Sequence, residues 1–113
     1  MPAGYQTLQL EQGTDFTIEL TLNDVNGVPY DLSNFDIKSQ FKKSYYSNVA
    51  TDFSISIGSA IGGVITLNLD STASANVSPG KYVYDVLLKN KSDNTKIRIL
   101  EGVLNVSPAV SHF

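Results

Sequence analysis

The densest grouping of contact-forming side chains is the run Lys42-Lys43-Ser44-Tyr45-Tyr46-Ser47-Asn48, which sets two cations and two tyrosines in a polar stretch. Tyrosine offers a large apolar area with a polar tip at low entropic cost, so exposed tyrosines are over-represented where proteins meet. The same side chains can stack on a sugar ring, or on the bases of single-stranded nucleic acid. Lys42, Lys43, Tyr45, Tyr46 and Asn48 are therefore the candidate partner-contact residues, with protein ranked above glycan and glycan above nucleic acid. The formal net charge of −3 decides the last step, because a polyanion is repelled overall and would hold only by local contacts. A second reading stays open, in which Tyr45 and Tyr46 fold over the end of the domain and close its core, since aromatics usually serve packing first.

Catalytic chemistry has less to work with. The chain carries 11 carboxylates, of which Asp15 and Glu19, or Asp31 and Asp36, are placed to pair. Paired carboxylates can cleave glycosides or bind calcium, but scattered positions at turns and strand ends read as solvated or turn-capping groups. The sole histidine, His112, is the penultimate residue, in a segment expected to be mobile. There is no Gly-x-Ser-x-Gly elbow, phosphate-cradling loop or His-Glu metal motif. No catalytic residue, cofactor or metal is expected, and no enzyme. The chain has no cysteine, which excludes disulfide stapling and thiolate ligands and fits synthesis in a reducing cytoplasm.

The elements that must position these residues are strands. Period-two alternation recurs and helical periodicity hardly appears. Leu8 and Leu10 mark a short first strand. Between Asp15 and Leu22, the apolar Phe16, Ile18, Leu20 and Leu22 share one face and Thr17, Glu19 and Thr21 the other. Ile37, Ser39 and Phe41 alternate with Lys38, Gln40 and Lys42, and Phe53, Ile55 and Ile57 with Ser54 and Ser56. After the Gly62-Gly63 turn, Ile65, Leu67 and Leu69 repeat the pattern. Asp70 is placed to cap one helical turn over Ser71-Thr72-Ala73-Ser74-Ala75. Lys81 to Asn90 is apolar on both faces, as in a strand that is central or covered on both sides. The last strand changes parity between Ile97, Ile99 and Leu104, Val106, which predicts a bulge, placed at Gly102. Asn26-Gly27 and Pro79-Gly80 punctuate the chain as turns.

Seven strands at roughly ten-residue spacing, in 113 residues that are 42% hydrophobic, predict one all-β domain spanning 1–113. The architecture expected is an immunoglobulin-like two-sheet sandwich with one short helical turn, and residues 1–4 and 109–113 as mobile ends. Tyr82, near the start of the penultimate strand, is either a corner tyrosine bonded back across the preceding loop or a core aromatic. The first strand and the one around Phe53 are candidate sheet edges, where Thr51, Ser54 and Ser56 carry no positive charge to deter pairing. No apolar run approaches the length of a membrane-spanning helix, and the start lacks the basic and apolar regions of a secretory signal. The mature protein is expected to begin close to residue 1.

The segments Asn26-Gly27-Val28-Pro29-Tyr30-Asp31-Leu32-Ser33 and Lys38-Ser39-Gln40-Phe41-Lys42-Lys43-Ser44 resemble a pattern in small β-sandwich virion proteins of tailed bacteriophages, particularly T4-like phages of cyanobacteria. Pro79-Gly80-Lys81-Tyr82-Val83-Tyr84-Asp85-Val86 and Arg98 to Pro108 are similar to the closing strands of the same group, so the resemblance spans about residues 5 to 110. It implies a structural protein of the particle, at a baseplate, tail, neck or head surface, contacting other virion proteins or further copies of itself and carrying no active site. Gly27, Pro29, Gly80 and Gly102 then set turns or bulges, and Asp31 satisfies a loop backbone. The competing class is a carbohydrate- or host-surface-binding module; an accessory domain of an enzyme ranks third.

Overall fold

The computed structural model describes residues 4–24 and 26–111. Two sheets face each other across an apolar layer. The larger contains β1 (Gly4–Tyr5), β2 (Leu8–Glu11), β4 (Phe35–Lys42), β5 (Ala50–Asp52), β8 (Gly80–Asn90) and β9 (Lys96–Ser107). Its order is β1-β9-β8-β4-β5, with β2 also pairing β9. The smaller is β3 (Phe16–Thr21), β7 (Val64–Leu69) and β6 (Ser54–Ser59), in the order β3-β7-β6. The expected helical turn is α1 (Ser71–Ala75), capped by the Asp70 carboxylate, which accepts from Ala73 N, and a second, a 3-10 turn capped by Asp31, spans Leu32–Asn34. This arrangement is the predicted immunoglobulin-like sandwich.

Alternation builds the core as expected. Leu8, Leu10, Phe16, Leu20, Phe41, Ile65, Leu67, Val86, Leu88 and Leu104 are buried in one cluster, while the intervening residues face water. Tyr82 is the corner tyrosine, half-buried against the margin of the core. Tyr82 Oη donates to Ser78 O at 2.6 Å, and its ring packs edge-on against Phe41 at 5.5 Å. Asn26-Gly27 does form a turn, with Gly27 at φ 78°, a conformation that favours glycine. The Asp24 carboxylate accepts from the backbone N–H groups of Asn26 and Val28 within it.

Two expectations need correction. The run around Phe53 is not one strand: β5 belongs to the larger sheet and β6 to the smaller, and the chain changes sheets at Phe53. Its N–H donates to Ser39 O at 3.0 Å, and its ring sits 5.0 Å from Phe41 and 5.7 Å from Phe16, one aromatic from each sheet. The strand β8 is central, between β9 and β4, as its apolar pattern predicted. Its outer residues Val83, Asp85 and Leu87 are half-buried by their neighbours alone. Secondly, the bulge in β9 is at Ile99 and not at Gly102. Val86 pairs with Leu100 and Leu87 with Arg98, leaving Ile99 as the extra residue that shifts Leu104 and Val106 inward.

Gly102 has a different task. It lies opposite Tyr84, and a Cβ there would collide with the carbonyl of Gln6. Gln6 falls in the break between β1 and β2; its N–H donates to Glu101 O at 3.0 Å and its carbonyl accepts the Tyr84 hydroxyl at 2.6 Å. The absent side chain lets the first strand cross close to β9, and the buried phenol ties it down. Gly4 and Ala109 are tied to the body as well: Gly4 pairs with Leu100, and Ala109 N donates to the Gln12 side chain at 3.2 Å. Gln12 Nε2 donates in turn to Val77 O.

Gly102→Ala is expected to cost about 3 kcal/mol in denaturant unfolding, because neither the Gln6 backbone nor the β9 ladder can give way. Burial, with a smaller contribution from nearby Tyr5, pushes the Tyr84 phenol up to about 12 from 10.0. The neutral phenol is thus favoured by the folded state. Its contribution to stability is complete below pH 10.0 and falls as pH rises through about 12. Alkaline unfolding curves should show this decline, and Tyr84→Phe should reduce it.

Candidate functional site

The candidate contact run is the connection between β4 and β5. Ser47 N donates to Ser44 O at 3.1 Å, so Tyr45 and Tyr46 are the two central residues of a β-turn. Ser47 Oγ accepts from Val49 N at 3.2 Å and fixes the return to β5. A turn, unlike a strand, does not force neighbouring side chains to opposite faces, yet the two rings still diverge. Tyr46 is 95% exposed and stands in solvent, while Tyr45, 61% exposed, borders a groove of about 270 Å³ on the outer face of the larger sheet. Neither closes the core, so the packing alternative for these two residues does not hold.

The lysines also part company. Lys42 is half-buried and lines the same groove as Tyr45. Lys43 turns to the other side, with Nζ 4.7 Å from the centre of the Tyr82 ring. Asn48 is exposed beside Val49, itself 76% exposed. Of the five predicted residues, the structure brings Lys42 and Tyr45 together, leaves Tyr46 and Asn48 projecting from the turn, and gives Lys43 to the corner tyrosine.

The rest of the groove comes from the sheet's outer surface, where register lays out rows across the strands. One row runs Ala50, Lys42, Val83, Val103; the next Asp52, Gln40, Asp85, Glu101; the third Lys38, Leu87, Arg98. The middle row is internally satisfied. Gln40 Nε2 donates to Asp52, and the Arg98 guanidinium lies 3.3 Å from Asp85 and 3.2 Å from Glu101. What stays available is an aliphatic pair, Val83 and Leu87, flanked by the Lys42 cation and the Tyr45 ring. Residue spacing in the contact run gave no hint of Val83, Leu87 or Arg98. The signal that existed was the second apolar face of the strand Lys81 to Asn90.

The carboxylates are occupied with local structure. Asp15 accepts from Ser71 N and Asp70 from Ala73 N. Asp31 accepts from Ser33 N and Oγ, as the loop role required, and the hydroxyl bond followed by the backbone bond holds its carboxyl below the ordinary range. Asp93 is lowered in the same way by Thr95. Asp36 lies 4.0 Å from Lys91 and does not pair with Asp31. Among the described residues no group of three His, Cys, Asp or Glu side chains is placed to hold a metal ion. His112 lies outside the described residues. A further concavity, of about 860 Å³, lies between the β2–β3 turn, α1 and residues 107–111, and among its described lining residues Glu11 is the one that is charged.

No family model and no curated protein matches the chain. Among solved structures it is similar to InlP of Listeria monocytogenes, with 16% identity and a TM-score of 0.47 over 95% of this chain and 27% of that one. It is similar to the NK cell receptor NKp44, a triggering partner in natural cytotoxicity, with 15% identity and a TM-score of 0.46 over 95% of this chain and 100% of that one. A family 123 glycoside hydrolase from Clostridium perfringens gives 10% identity and a TM-score of 0.43 over 99% of this chain and 24% of that one. The chain thus spans about a quarter of InlP and of the hydrolase, and these similarities carry nothing about activity.

Tyr46→Ala should leave the thermal midpoint and unfolding free energy within about 0.5 kcal/mol of the parent, as expected for a side chain that packs against nothing. Tyr82→Phe, which removes the bond to Ser78 O, should cost about 1 kcal/mol in the same measurement.

Proposed function

We propose that this protein is a non-enzymatic structural component of a phage virion that acts through protein–protein contacts. It is synthesised in the host cytoplasm and resides in the particle, at a baseplate, tail, neck or head surface of a T4-like phage of cyanobacteria. The observation that carries the contact role is the β4–β5 turn, which holds Tyr45, Tyr46 and Val49 in solvent, Tyr45 beside the half-buried aliphatic pair Val83 and Leu87. A large apolar area kept exposed on a hydrogen-bonded sheet suits an anchor for a partner surface, since it loses little entropy when covered. Lys42 beside it favours an acidic partner rim. The virion assignment is supported by the sequence resemblance set out above.

A second reading is a carbohydrate- or host-surface-binding module. It is favoured by one observation, that Tyr45 borders a groove containing Gln40, Asp85 and Arg98, groups able to bond sugar hydroxyls. Tyr46 points away, so one ring only is available to stack.

Mass spectrometry of purified particles of the encoding phage should detect this chain at many copies, and a Tyr45→Ala/Tyr46→Ala phage should assemble particles depleted in it. Particles without the chain, together with a glycan-array signal lost in Tyr45→Ala, would transfer the assignment to the second reading.

A further inference from the structure

Among the described residues the two sheets end in four strand edges, and three are guarded. The β1–β2 edge is broken at Gln6 and Thr7, its Gln6 carbonyl is taken by Tyr84, and it ends on Glu11. The β5 edge is three residues long and contains Asp52. The β3 edge places exposed Glu19 in mid-strand, where a second copy would bring like charges together. Short length, interruption and charge are the standard means of keeping edges apart.

The fourth edge, β6, has none of them. Ser54-Ile55-Ser56-Ile57-Gly58-Ser59 is six residues without a charge. Ile57 stands on the core face, opposite the buried Ile65, yet is 50% exposed, and Ile61 just beyond is 77% exposed. The apolar layer therefore runs out to this margin uncovered. The one irregularity is the register shift between Ile57 and Ser59, at the far end of the strand.

We propose that β6 is a self-association edge, at which two copies of this chain pair β6 with β6 antiparallel about a two-fold axis through Ser56. The occupant follows from symmetry and parity. Side-by-side antiparallel copies related by a two-fold keep equivalent faces on the same side, so opposed residues must share a face and the axis must pass through a residue. Centring it on Ser56 pairs residues 54–58, as many as any other centre, and opposes the isoleucines: Ile55 of each copy lies opposite Ile57 of the other, and Ser56 faces Ser56. Each half-exposed Ile57 then gains an aliphatic cross-strand neighbour, and two three-stranded sheets become one of six strands. No charge opposes the approach. An edge contact of this size falls short of the area of about 1,200 Å² that stable complexes bury, so the dimer is weak and concentration-dependent. It does not rest on the virion reading, because it is measured on the free protein.

Sedimentation over micromolar to millimolar concentrations should show a monomer–dimer equilibrium. Ser56→Lys should shift it to monomer at every concentration without lowering the thermal midpoint, because the side chain is exposed. The natural chain has no cysteine, so Ser56→Cys should yield a disulfide-linked dimer under mild oxidation, opposed Cα atoms about 4.5–5.5 Å apart being within bridging reach. Thr17→Cys on the β3 edge should cross-link much more slowly. A protein that stays monomeric throughout, a dimer that survives Ser56→Lys, or equal cross-linking of the two cysteine variants would overturn the proposal.

Discussion

Phe53 is where the fold is tied together. The chain must leave the larger sheet after β5 and enter the smaller at β6, and a crossing between sheets normally leaves backbone groups unpaired in an apolar layer. Here the Phe53 N–H donates to Ser39 O, while its ring fills the space between Phe41 and Phe16. Ser39 is buried, and its hydroxyl donates to Asp85 O, so the small residue leaves room for the ring without leaving a polar atom unpartnered.

Clamping the two sheets leaves the outer surface of the larger one with a fixed pattern. Because β8 is flanked on both sides, Val83, Asp85 and Leu87 are held in rows with residues of β4 and β9. The charges of the middle row neutralise one another through Arg98 and Gln40, and the neighbouring rows keep their aliphatic groups and Lys42. The turn carrying Tyr45 and Tyr46 grows from the end of β4, so its orientation is inherited from the same ladder. Most of the carboxylates serve turns, caps and ion pairs.

Much of this was legible in the chain. Alternation located seven runs and assigned most inward residues, because a sheet with one buried face must alternate. Asp70 before five small residues, Asn26-Gly27 and the tyrosine after Pro79-Gly80 each adopt the conformation their local chemistry prefers. Where the reading failed, local signals were silent. The parity change in β9 was visible, but a bulge at any residue between Ile99 and Leu104 restores it, and glycine drew the assignment to the wrong place. Gly102 is instead required by Gln6, a residue far away in sequence.

By itself, then, the sequence determined the period, the turns, the absence of thiol chemistry and the all-β class, since these depend on residues within a few positions of one another. The tertiary structure alone decided that one apparent strand serves two sheets, that Gly102 makes way for a crossing strand, and that Lys42 and Tyr45 share a groove with Val83, Leu87 and Arg98. Each of these depends on contacts between residues tens of positions apart, and burial between two sheets is a property of the pair that neither strand carries in its own pattern.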